Sequence, residues 1–345
     1  MKHSFHWTGK TPYPVSAPRP EGMTLQILRR PTDALPFLHD TSVSRCGEGL
    51  FAAWYTCTEG EIAGETCIMG RYSPDGVHWD PVETVVGGTD YHYVPASFYT
   101  ENGQFRALVT TMTGHDRPVS VMELARTENG WQRLREHSIP FLFNTAPVSL
   151  PNGTLLAAGR IAPEVGELPR IPAVARKIPC CEDWQVFPMP GDWKSMGYPL
   201  PIPETTLLCH GNSIETIVRN DRGSPWVFCT EDPVENWHFA GESVLPIAGV
   251  KMYSGTLPDG RLFLLYNEIT PAKDRSRLVM ALGSSEGFDR LYTLADGYDS
   301  VAEAGPYWHY PWAAEKDDML YVTCTANGPA NRRSAVLFTI PLKVL

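Results

Sequence analysis

Short apolar stretches rich in β-branched and aromatic residues recur along the chain, separated by polar turns. Apolar residues spaced for an amphipathic helix do not persist over ten positions between any two Gly or Pro breaks. Five stretches of eight or nine residues have the composition of β-strands: 50–58, 105–113, 154–161, 261–269 and 319–326. Each follows a turn sequence, such as ENG at 101–103 or PDG at 258–260. The pattern predicts an all-β protein built from hairpins.

A second marker repeats downstream of these strands. In each copy a polar turn with an acidic residue or Asn leads to an aromatic residue, and the five aromatics are Trp79, Trp131, Trp184, Trp237 and Phe288. Successive markers stand 51 to 53 residues apart. A period near 50 residues, with about four short strands per unit, is typical of a β-propeller, in which each blade buries its faces against its neighbours.

The period divides the chain into six blades of one domain spanning 1–345. Their predicted limits are 36–90, 91–140, 141–198, 199–248, 249–303 and 304–345. The last unit holds only three strands, so we expect residues 23–30 to supply its outer strand and close the ring without a free edge. A seventh blade is the less favoured alternative, because only the first 35 residues are unassigned.

Composition and charge exclude several classes of protein. The chain lacks a run of about 20 apolar residues, so a membrane span is not expected. Its net charge of −10 would repel a polyanion, so nucleic acid is not an expected partner. Residues 1–23 lack the apolar segment of a signal peptide, and the eight cysteines lack zinc spacing. We therefore expect a cytoplasmic protein with reduced thiols.

The innermost strand of each propeller blade lines the central channel, so side chains from all blades should meet in one funnel. Counting about nine residues back from each hairpin turn gives the funnel residues. They are His39, Asp40, Tyr91, His92, Tyr93, Asn144, Thr145, Glu204, Thr205, Lys251, Tyr253, Trp308, His309 and Tyr310. Histidine can transfer protons at neutral pH, and the aromatic rings can stack on a sugar or simply fill the channel. No cofactor is expected, although a metal held by His39, His92 and His309 is an alternative.

A Pro-interrupted stretch at 159–177 is predicted to form a long insertion between the second and third strands of blade 3. It carries Arg160, Glu167 and Arg170. Long loops in compact folds are often functional, and an arginine fork suits a carboxylate. The alternative is a solvated loop with surface ion pairs. The expected substrate-binding residues are His92, Arg160, Glu167, Arg170, Lys251, Trp308, His309 and Tyr310.

Residues 73–79 (SPDGVHW) resemble the Asp box of the sialidase (BNR-repeat) superfamily, Ser-x-Asp-x-Gly-x-Thr-Trp, with one residue fewer between Asp and Trp. Thr230, Asp232 and Trp237 keep the full length but have Val234 where the motif has Gly. The resemblance implies a propeller distantly related to sialidases. In that family the motif is structural, because the Asp and hydroxyl side chains bind turn amides while the Trp packs between the outer strands.

The resemblance also implies an enzyme that holds a sugar carboxylate with three arginines and uses a Tyr nucleophile, a supporting Glu and an Asp acid. Tyr253 or Tyr93 is the candidate phenol and Asp40 the candidate acid, while Glu204, Glu215 or Glu167 is the candidate support. Three arginines cannot be placed at the funnel positions. The favoured function is therefore cleavage of a terminal glycosidic bond of an acidic sugar in a small saccharide or glycan, without strict sialidase specificity.

Two other functions remain open. A funnel richer in His and Tyr than in carboxylates resembles that of propeller lyases, which cleave uronic-acid linkages by β-elimination, with His39, Tyr93 and Arg160 as candidates. Residues 39–54 look like the first-blade segment of some rhamnose-glucuronate cleaving propellers. A hydrolase instead needs two acidic groups or a Tyr nucleophile. The third possibility is a sugar-binding propeller without catalysis.

Overall fold

Antiparallel sheets arranged as propeller blades make up the computed structural model, which describes residues 3–114, 117–162, 170–211, 213–232, 236–328 and 332–345. Within these ranges there are six sheets. Strand β1 (Thr24–Arg29) precedes the first sheet and belongs to the last. Every other sheet is built from strands consecutive in the chain, and each strand pairs with the next except in blade 3, where two short strands both pair with the one that follows them.

Blades 1 to 3 occupy the first half of the chain. Blade 1 contains β2 (Phe37–Cys46), β3 (Gly49–Cys57), β4 (Thr66–Ser73) and β5 (Glu83–Gly88). Blade 2 contains β6 (His92–Glu101), β7 (Gln104–Met112), β8 (Pro118–Thr127) and β9 (Gly130–His137). In blade 3 the innermost strand is split into β10 (Phe141–Phe143) and β11 (Val148–Ser149), followed by β12 (Leu155–Ile161), β13 (Ile171–Lys177) and β14 (Gln185–Pro188).

Blades 4 to 6 follow the same plan. Blade 4 contains β15 (Thr205–His210), β16 (Ser213–Val218), β17 (Trp226–Thr230) and β18 (His238–Glu242). Blade 5 contains β19 (Tyr253–Thr256), β20 (Leu262–Asn267), β21 (Arg277–Ser284) and β22 (Gly287–Asp296). Blade 6 contains β23 (Tyr307–Lys316), β24 (Met319–Asn327) and β25 (Arg333–Pro341), and a short 3-10 turn ends the chain at Leu342–Val344.

The N-terminal strand closes the ring. β1 pairs antiparallel with β25, so that Thr24 lies opposite Thr339 and Ile27 opposite Val336. The three strands of blade 6 thereby gain their outer neighbour from the other end of the chain, and the outer edge of β25 is covered. This confirms the predicted six-bladed, all-β propeller closed by an N-terminal strand.

Trp79, Trp184 and Trp237 lie in the connection between the third and fourth strands of their blades, and Trp131 and Phe288 are the second residues of the fourth strand. Several of them fill the seam between neighbouring blades. The Trp131 ring of blade 2 lies 5.4 Å from Phe51 of blade 1, and the Trp184 ring of blade 3 lies 6.1 Å from Tyr99 of blade 2. A large aromatic ring packed at this point of each blade explains the sequence period, because every blade needs a large side chain where its outer strands pack against the neighbouring blade.

The turn between β4 and β5 is held by its own side chains. Asp75 Oδ1 accepts hydrogen bonds from the amides of Val77 at 2.8 Å and His78 at 2.7 Å. Ser73 Oγ accepts one from the amide of Gly76 at 2.8 Å. Gly76 has a φ of +75°, and a Cβ there would clash with the Tyr321 ring. These contacts form an Asx turn whose role is structural.

The apolar core lies between the blades. One cluster joins blades 5, 6 and 1 through side chains that include Trp54, Leu265 and Trp312.

The described residues include no helix of the length and apolarity that a membrane crossing requires. None of the eight cysteines forms a disulfide. The ring of innermost strands forms the framework around the functional site.

Candidate functional site

A cavity of about 460 Å³ opens at the end of the central channel where the innermost strands begin. This volume lies within the roughly 300–1,000 Å³ typical of small-molecule sites. All six blades contribute to its lining, which consists of His39, Asp40, Tyr55, Glu61, Ile62, Val94, Pro95, Met112, Leu142, Arg160, Ile202, Glu204, Arg219, Arg275, His309, Tyr310 and Arg333.

Three β-bulges shape the floor of this cavity. They lie in the innermost strands of adjacent blades, at Asp40-Thr41 in β2, Val94-Pro95 in β6 and Tyr310-Pro311 in β23. A bulge adds one residue to a strand and turns its side chain in a new direction. Asp40 and Tyr310 adopt positive φ angles of 49° and 57°. The two residues therefore occupy equivalent positions in neighbouring blades.

A buried ion pair joins blade 4's first two strands beside the cavity. Arg219 Nη1 donates to Glu204 Oε2 at 2.7 Å, and the Arg219 amide donates to the Glu204 carbonyl at 2.8 Å. Asp221 Oδ1 accepts from Nε and Nη2 of the same guanidinium. Burial opposes ionisation of Glu204, but the charges of Arg219, Arg160 and Lys251 outweigh it and hold its pKa below the usual range. Glu204 is thus a carboxylate at neutral pH.

Tyr310 presents its phenol in the same cavity. The His39 ring lies 4.5 Å from the Tyr310 ring between centroids, and the Arg275 guanidinium lies 5.9 Å from the ring centroid. Burial raises the pKa of Tyr310, and the negative charge of Glu204 raises it further. The free protein therefore holds a protonated phenol beside an ionised carboxylate.

The two cavity histidines are uncharged. Burial lowers the pKa of His39 well below its usual value, and the cation of Arg333 adds to this effect. His309 Nδ1 lies 2.6 Å from Arg275 Nη1. A guanidinium can only donate, so Nδ1 must accept and the ring proton resides on Nε2. Burial together with Arg275 lowers the pKa of His309 to about 3.

Lys251 lies beneath the floor rather than in the cavity. Its side chain is 1% exposed, and its Nζ donates to Asp40 Oδ1 at 2.7 Å. Burial raises the pKa of Asp40, while Lys251 opposes that change. The lysine expected from sequence to bind substrate therefore contacts the protein's own Asp40.

Four arginines line the cavity, which corrects the expectation that three could not be placed there. Arg160, Arg219, Arg275 and Arg333 come from blades 3, 4, 5 and 6, one from each. All lie at or near the connection between the second and third strands of their blade. Sequence analysis named Arg160 from the stretch 159–177, but counting along the innermost strands missed Arg219, Arg275 and Arg333, because a long side chain reaches the funnel from outside these strands. The recurrence of an arginine at this connection in four successive blades is the sequence signal that could have identified these cavity residues.

The cavity is locally positive in a protein of net charge −10. Its lining holds four guanidinium groups against three carboxyl groups, those of Asp40, Glu61 and Glu204. The Lys251 ammonium lies directly below. Arg333 Nη2 donates to Glu61 Oε2 at 3.4 Å at the rim. A ligand that carries a negative charge therefore fits this cavity best.

Neither phenol proposed as the nucleophile lines the cavity. Tyr253 packs in the core, with its ring 5.1 Å from Trp312, and borders a different cavity. Tyr93 is buried in the core between blades 1 and 2. The bulge at Val94-Pro95, next to Tyr93, changes which side chains of β6 face inward, and this change is invisible to counting. Strand β19 pairs with β20 in a regular register, and its first residue, Tyr253, faces the core. Tyr310, which sequence analysis took for a substrate-binding residue, is the phenol in the cavity.

Other expected binding residues also lie elsewhere. The Trp308 indole donates to the Gly297 carbonyl at 3.0 Å in the core, because neighbouring residues of a strand point to opposite faces and His309 takes the cavity side. Arg170 donates to the Pro201 carbonyl at 2.9 Å and so ties blade 3 to the connection that leads into blade 4. His92 begins β6 outside the cavity lining. Glu167 lies outside the described residues.

The three-histidine metal site finds no support in the geometry. The rings of His39 and His309 are 5.7 Å apart, but His92 is not among the residues that line the cavity. Within the described ranges, no group of three or more His, Cys, Asp or Glu side chains is arranged to hold a metal.

Comparison with known proteins shows the fold. No family model and no curated protein matches the chain. A Dyadobacter fermentans protein of unknown function superposes with a TM-score of 0.72 at 12% identity, over 92% of this chain and 99% of that one. Trypanosoma rangeli sialidase in complex with sialic acid gives 0.71 at 12% identity, over 95% of this chain, which spans only 60% of the sialidase. A Hadza microbial sialidase gives 0.69 at 10% identity, over 91% of this chain and 67% of that one. The chain therefore has the propeller fold seen in sialidases.

Proposed function

We propose that the protein is a glycoside hydrolase that removes a terminal acidic sugar from a small saccharide or glycan. The observation that carries this proposal is the meeting of Tyr310, ionised Glu204 and four arginines in one cavity. The shared fold adds support, since one structure with that fold is a sialidase in complex with sialic acid.

The cavity favours an acidic sugar at the end of a chain. An arginine fork can donate two parallel hydrogen bonds to a carboxylate, and Arg275 lies beside the Tyr310 ring. Below the cavity, Lys251 Nζ donates to Asp40, and in the proposed binding mode the sugar enters from the opposite side. The remainder of the substrate then extends outward through the mouth.

The first half of the reaction forms a glycosyl–tyrosine bond. Tyr310 Oη attacks the anomeric carbon while its proton passes to the Glu204 carboxylate, and the bond from that carbon to the leaving oxygen breaks. A base is required because the phenol is protonated before substrate binds. Arg219 keeps Glu204 ionised until this transfer occurs. A Tyr nucleophile is an established exception to the two-carboxylate scheme of glycosidases.

The leaving oxygen needs a proton, and Glu61 is better placed to supply it than Asp40. The Glu61 side chain is 40% exposed at the rim, whereas Asp40 is 9% exposed and is bound to Lys251. The leaving group points toward the mouth, where Glu61 lies. We therefore assign the donor role to Glu61, in place of the Asp40 suggested by the sequence, and in this scheme the Glu61 carboxyl enters the first step in its protonated form.

The second half of the reaction releases the sugar. Water attacks the anomeric carbon as Glu61, now a carboxylate, takes its proton. The bond between that carbon and Tyr310 Oη breaks, and Glu204 returns its proton to the phenolate. Two displacements at one carbon retain the anomeric configuration. The cycle leaves every group in its starting protonation state.

The test compares two buried tyrosines on a panel of aryl glycosides of sialic and uronic acids. Tyr310→Phe removes the nucleophile, and we expect kcat to fall by about 10³-fold or more. Tyr253→Phe is the matched control, because Tyr253 is also buried but borders a different cavity, and it should retain the parent activity. Full activity in Tyr310→Phe would contradict the assignment of Tyr310 as the nucleophile.

β-Elimination is the second candidate, and one observation favours it. His39 is uncharged and its ring lies 4.5 Å from Tyr310, so the two side chains could remove and return protons at a uronic acid bound by arginines. The product decides between the two reactions. A lyase leaves an unsaturated uronide that absorbs ultraviolet light, whereas a hydrolase leaves a saturated sugar.

A further inference from the structure

Lys251 connects the two strained bulges of the cavity floor. Its Nζ donates to Asp40 in the bulge of blade 1, and the same atom lies 5.0 Å from the ring centroid of Tyr310 in the bulge of blade 6. The ammonium also lies 5.3 Å from the Trp312 centroid. Lys251 itself comes from the segment that enters blade 5. One buried cation from blade 5 thus contacts side chains of blades 6 and 1.

The conformation of Tyr310 requires such support. A tyrosine with a φ of +57° is in the left-handed region, which residues other than glycine hold only when their surroundings fix them. Asp40 is in the same state at +49°. A lysine is rarely buried without a paired charge, and here Asp40 provides it. The pair therefore anchors the cation while the cation contacts the phenol ring.

We propose that Lys251 is a positioning residue that acts through Tyr310: held by Asp40, its ammonium fixes the phenol ring in the orientation needed to attack the anomeric carbon. The inference rests on the proposed function for its kinetic consequence. The ordering of the Tyr310 ring follows from the contacts alone. Lys251 does not line the cavity, so it does not touch the substrate.

Other charged groups also face Tyr310, and among them the Arg275 guanidinium lies 5.9 Å from the ring centroid, farther than the Lys251 ammonium. Glu204, Arg219, Arg275 and Asp40 alter the ionisation of its hydroxyl. His39 faces the ring but is uncharged. The proposal for Lys251 concerns the orientation of the ring, so its test measures ring order directly and does not depend on a titration.

The chain contains a matched control in Lys177. This lysine is also buried, binds a carboxylate with Nζ 2.7 Å from Glu101 Oε1, and lies 5.7 Å from the ring centroid of Tyr99. It lies between blades 2 and 3 and does not line the cavity. Lys177→Met therefore reports what the loss of a buried lysine does to the fold alone.

The first experiment places a fluorinated tyrosine at position 310 and records its ¹⁹F NMR spectrum. The parent protein should give one narrow resonance. Lys251→Met should shift and broaden it or split it, and Asp40→Asn should disturb it in the same way by releasing the lysine. Lys177→Met should leave it unchanged. An unchanged resonance in a folded Lys251→Met protein would overturn the proposal.

The second experiment uses kinetics on an acidic aryl glycoside. Lys251→Met should lower kcat by about 10²-fold, since misplacing a reacting group by about 1 Å has effects of this size. KM should change by less than about threefold, because the sugar contacts remain. Lys251→Arg, which keeps the cation, should recover part of the lost kcat. A combined Asp40→Asn and Lys251→Met protein should be no slower than Lys251→Met alone, because both changes break one connection.

The NMR and kinetic experiments together distinguish a failure of the Lys251 proposal from a failure of the proposed function. If Lys251→Met does not fold, Asp40→Asn and Lys251→Arg carry the same comparison. If the parent turns over no glycoside while the ¹⁹F resonance responds as expected, the proposed function fails and the positioning of Tyr310 stands. If the parent is active and kcat falls equally in Lys251→Met and Lys177→Met, the effect is one of fold stability and the proposal is overturned.

Discussion

Two buried polar clusters in this propeller are built from the same residue types and are arranged differently. We define the seam cluster as Tyr99, Arg106, Glu123, His137 and Lys177, between blades 2 and 3. In it, Glu123 accepts hydrogen bonds from Tyr99 Oη at 2.6 Å, Arg106 Nη1 at 2.7 Å and His137 Nε2 at 3.0 Å. The cavity also holds a Tyr, a Glu, arginines and histidines, with a Lys below them.

The difference lies in where the groups point. In the seam cluster, Tyr99, Arg106 and His137 all bind the Glu123 carboxylate, so these hydrogen bonds lie within the protein and contribute to stability. In the cavity, Glu204 is held by Arg219, while Tyr310 and the arginines of other blades line an open space. The residue types are therefore a poor guide to function here. The direction in which the strands orient these side chains distinguishes the cavity from the seam cluster.

Matched substitutions of the two buried glutamates give the largest expected contrast. Glu204→Gln removes the proposed base, so kcat should fall by about 10²- to 10⁴-fold, while Asp221 still balances Arg219 and the fold survives. Glu123→Gln removes the carboxylate that binds both Arg106 and His137, and Arg106 keeps only Glu101, so the unfolding free energy should fall by about 2–3 kcal/mol with kcat unchanged. Enzyme kinetics and urea unfolding measure the two effects. Equal loss of kcat in both variants would erase the distinction between the clusters.

Acid unfolding sharpens the same comparison. Burial opposes the ionisation of Glu123, but hydrogen bonds from His137, Tyr99 and Arg106 outweigh it and lower its pKa from 4.5 to about 2. A carboxyl with a lowered pKa stabilises the folded state fully above its ordinary pKa, and this contribution disappears as the pH falls toward the folded value. We expect roughly 3 kcal/mol of unfolding free energy to be lost over that interval.

Glu123→Gln is the control for the acid-unfolding prediction. The variant has no carboxyl to titrate at this position, so its unfolding free energy should depend less steeply on pH across the same interval. Urea unfolding at several pH values gives both slopes. Parallel slopes in the parent and the variant would remove Glu123 as the source of the pH dependence.

The architecture could be predicted because it repeats. Each interface between blades needs a large side chain at the same point of the blade, so aromatic residues such as Trp131 and Trp184 recur at nearly constant spacing. The number of these residues therefore indicates the number of blades. The closing strand could be predicted because the last unit lacked an outer partner. Both features follow from rules that apply to every blade, and these rules are visible in a single sequence.

The site was harder to predict because it depends on exceptions to those rules. Asp40, Glu204 and Tyr310 were found by counting along the innermost strands, and all three line the cavity. Tyr253 and Trp308 satisfied the same count but face the core. The bulges that aim Asp40 and Tyr310 inward have no clear signal in the sequence, and the arginines reach the cavity from other strands. Local backbone geometry therefore decides the membership of the site.

Covalent trapping tests the central claim most directly. Fluorinated acidic sugars with a good leaving group, including 2,3-difluorosialic acid and 2-fluoro uronosyl fluorides, slow the second displacement more than the first and leave the sugar attached to the nucleophile. After incubation and proteolysis, mass spectrometry should find one sugar on the peptide that contains Tyr310, and none when Tyr310→Phe is treated in the same way. A label on any other residue, or turnover of acidic glycosides by Tyr310→Phe at the parent rate, would contradict the account.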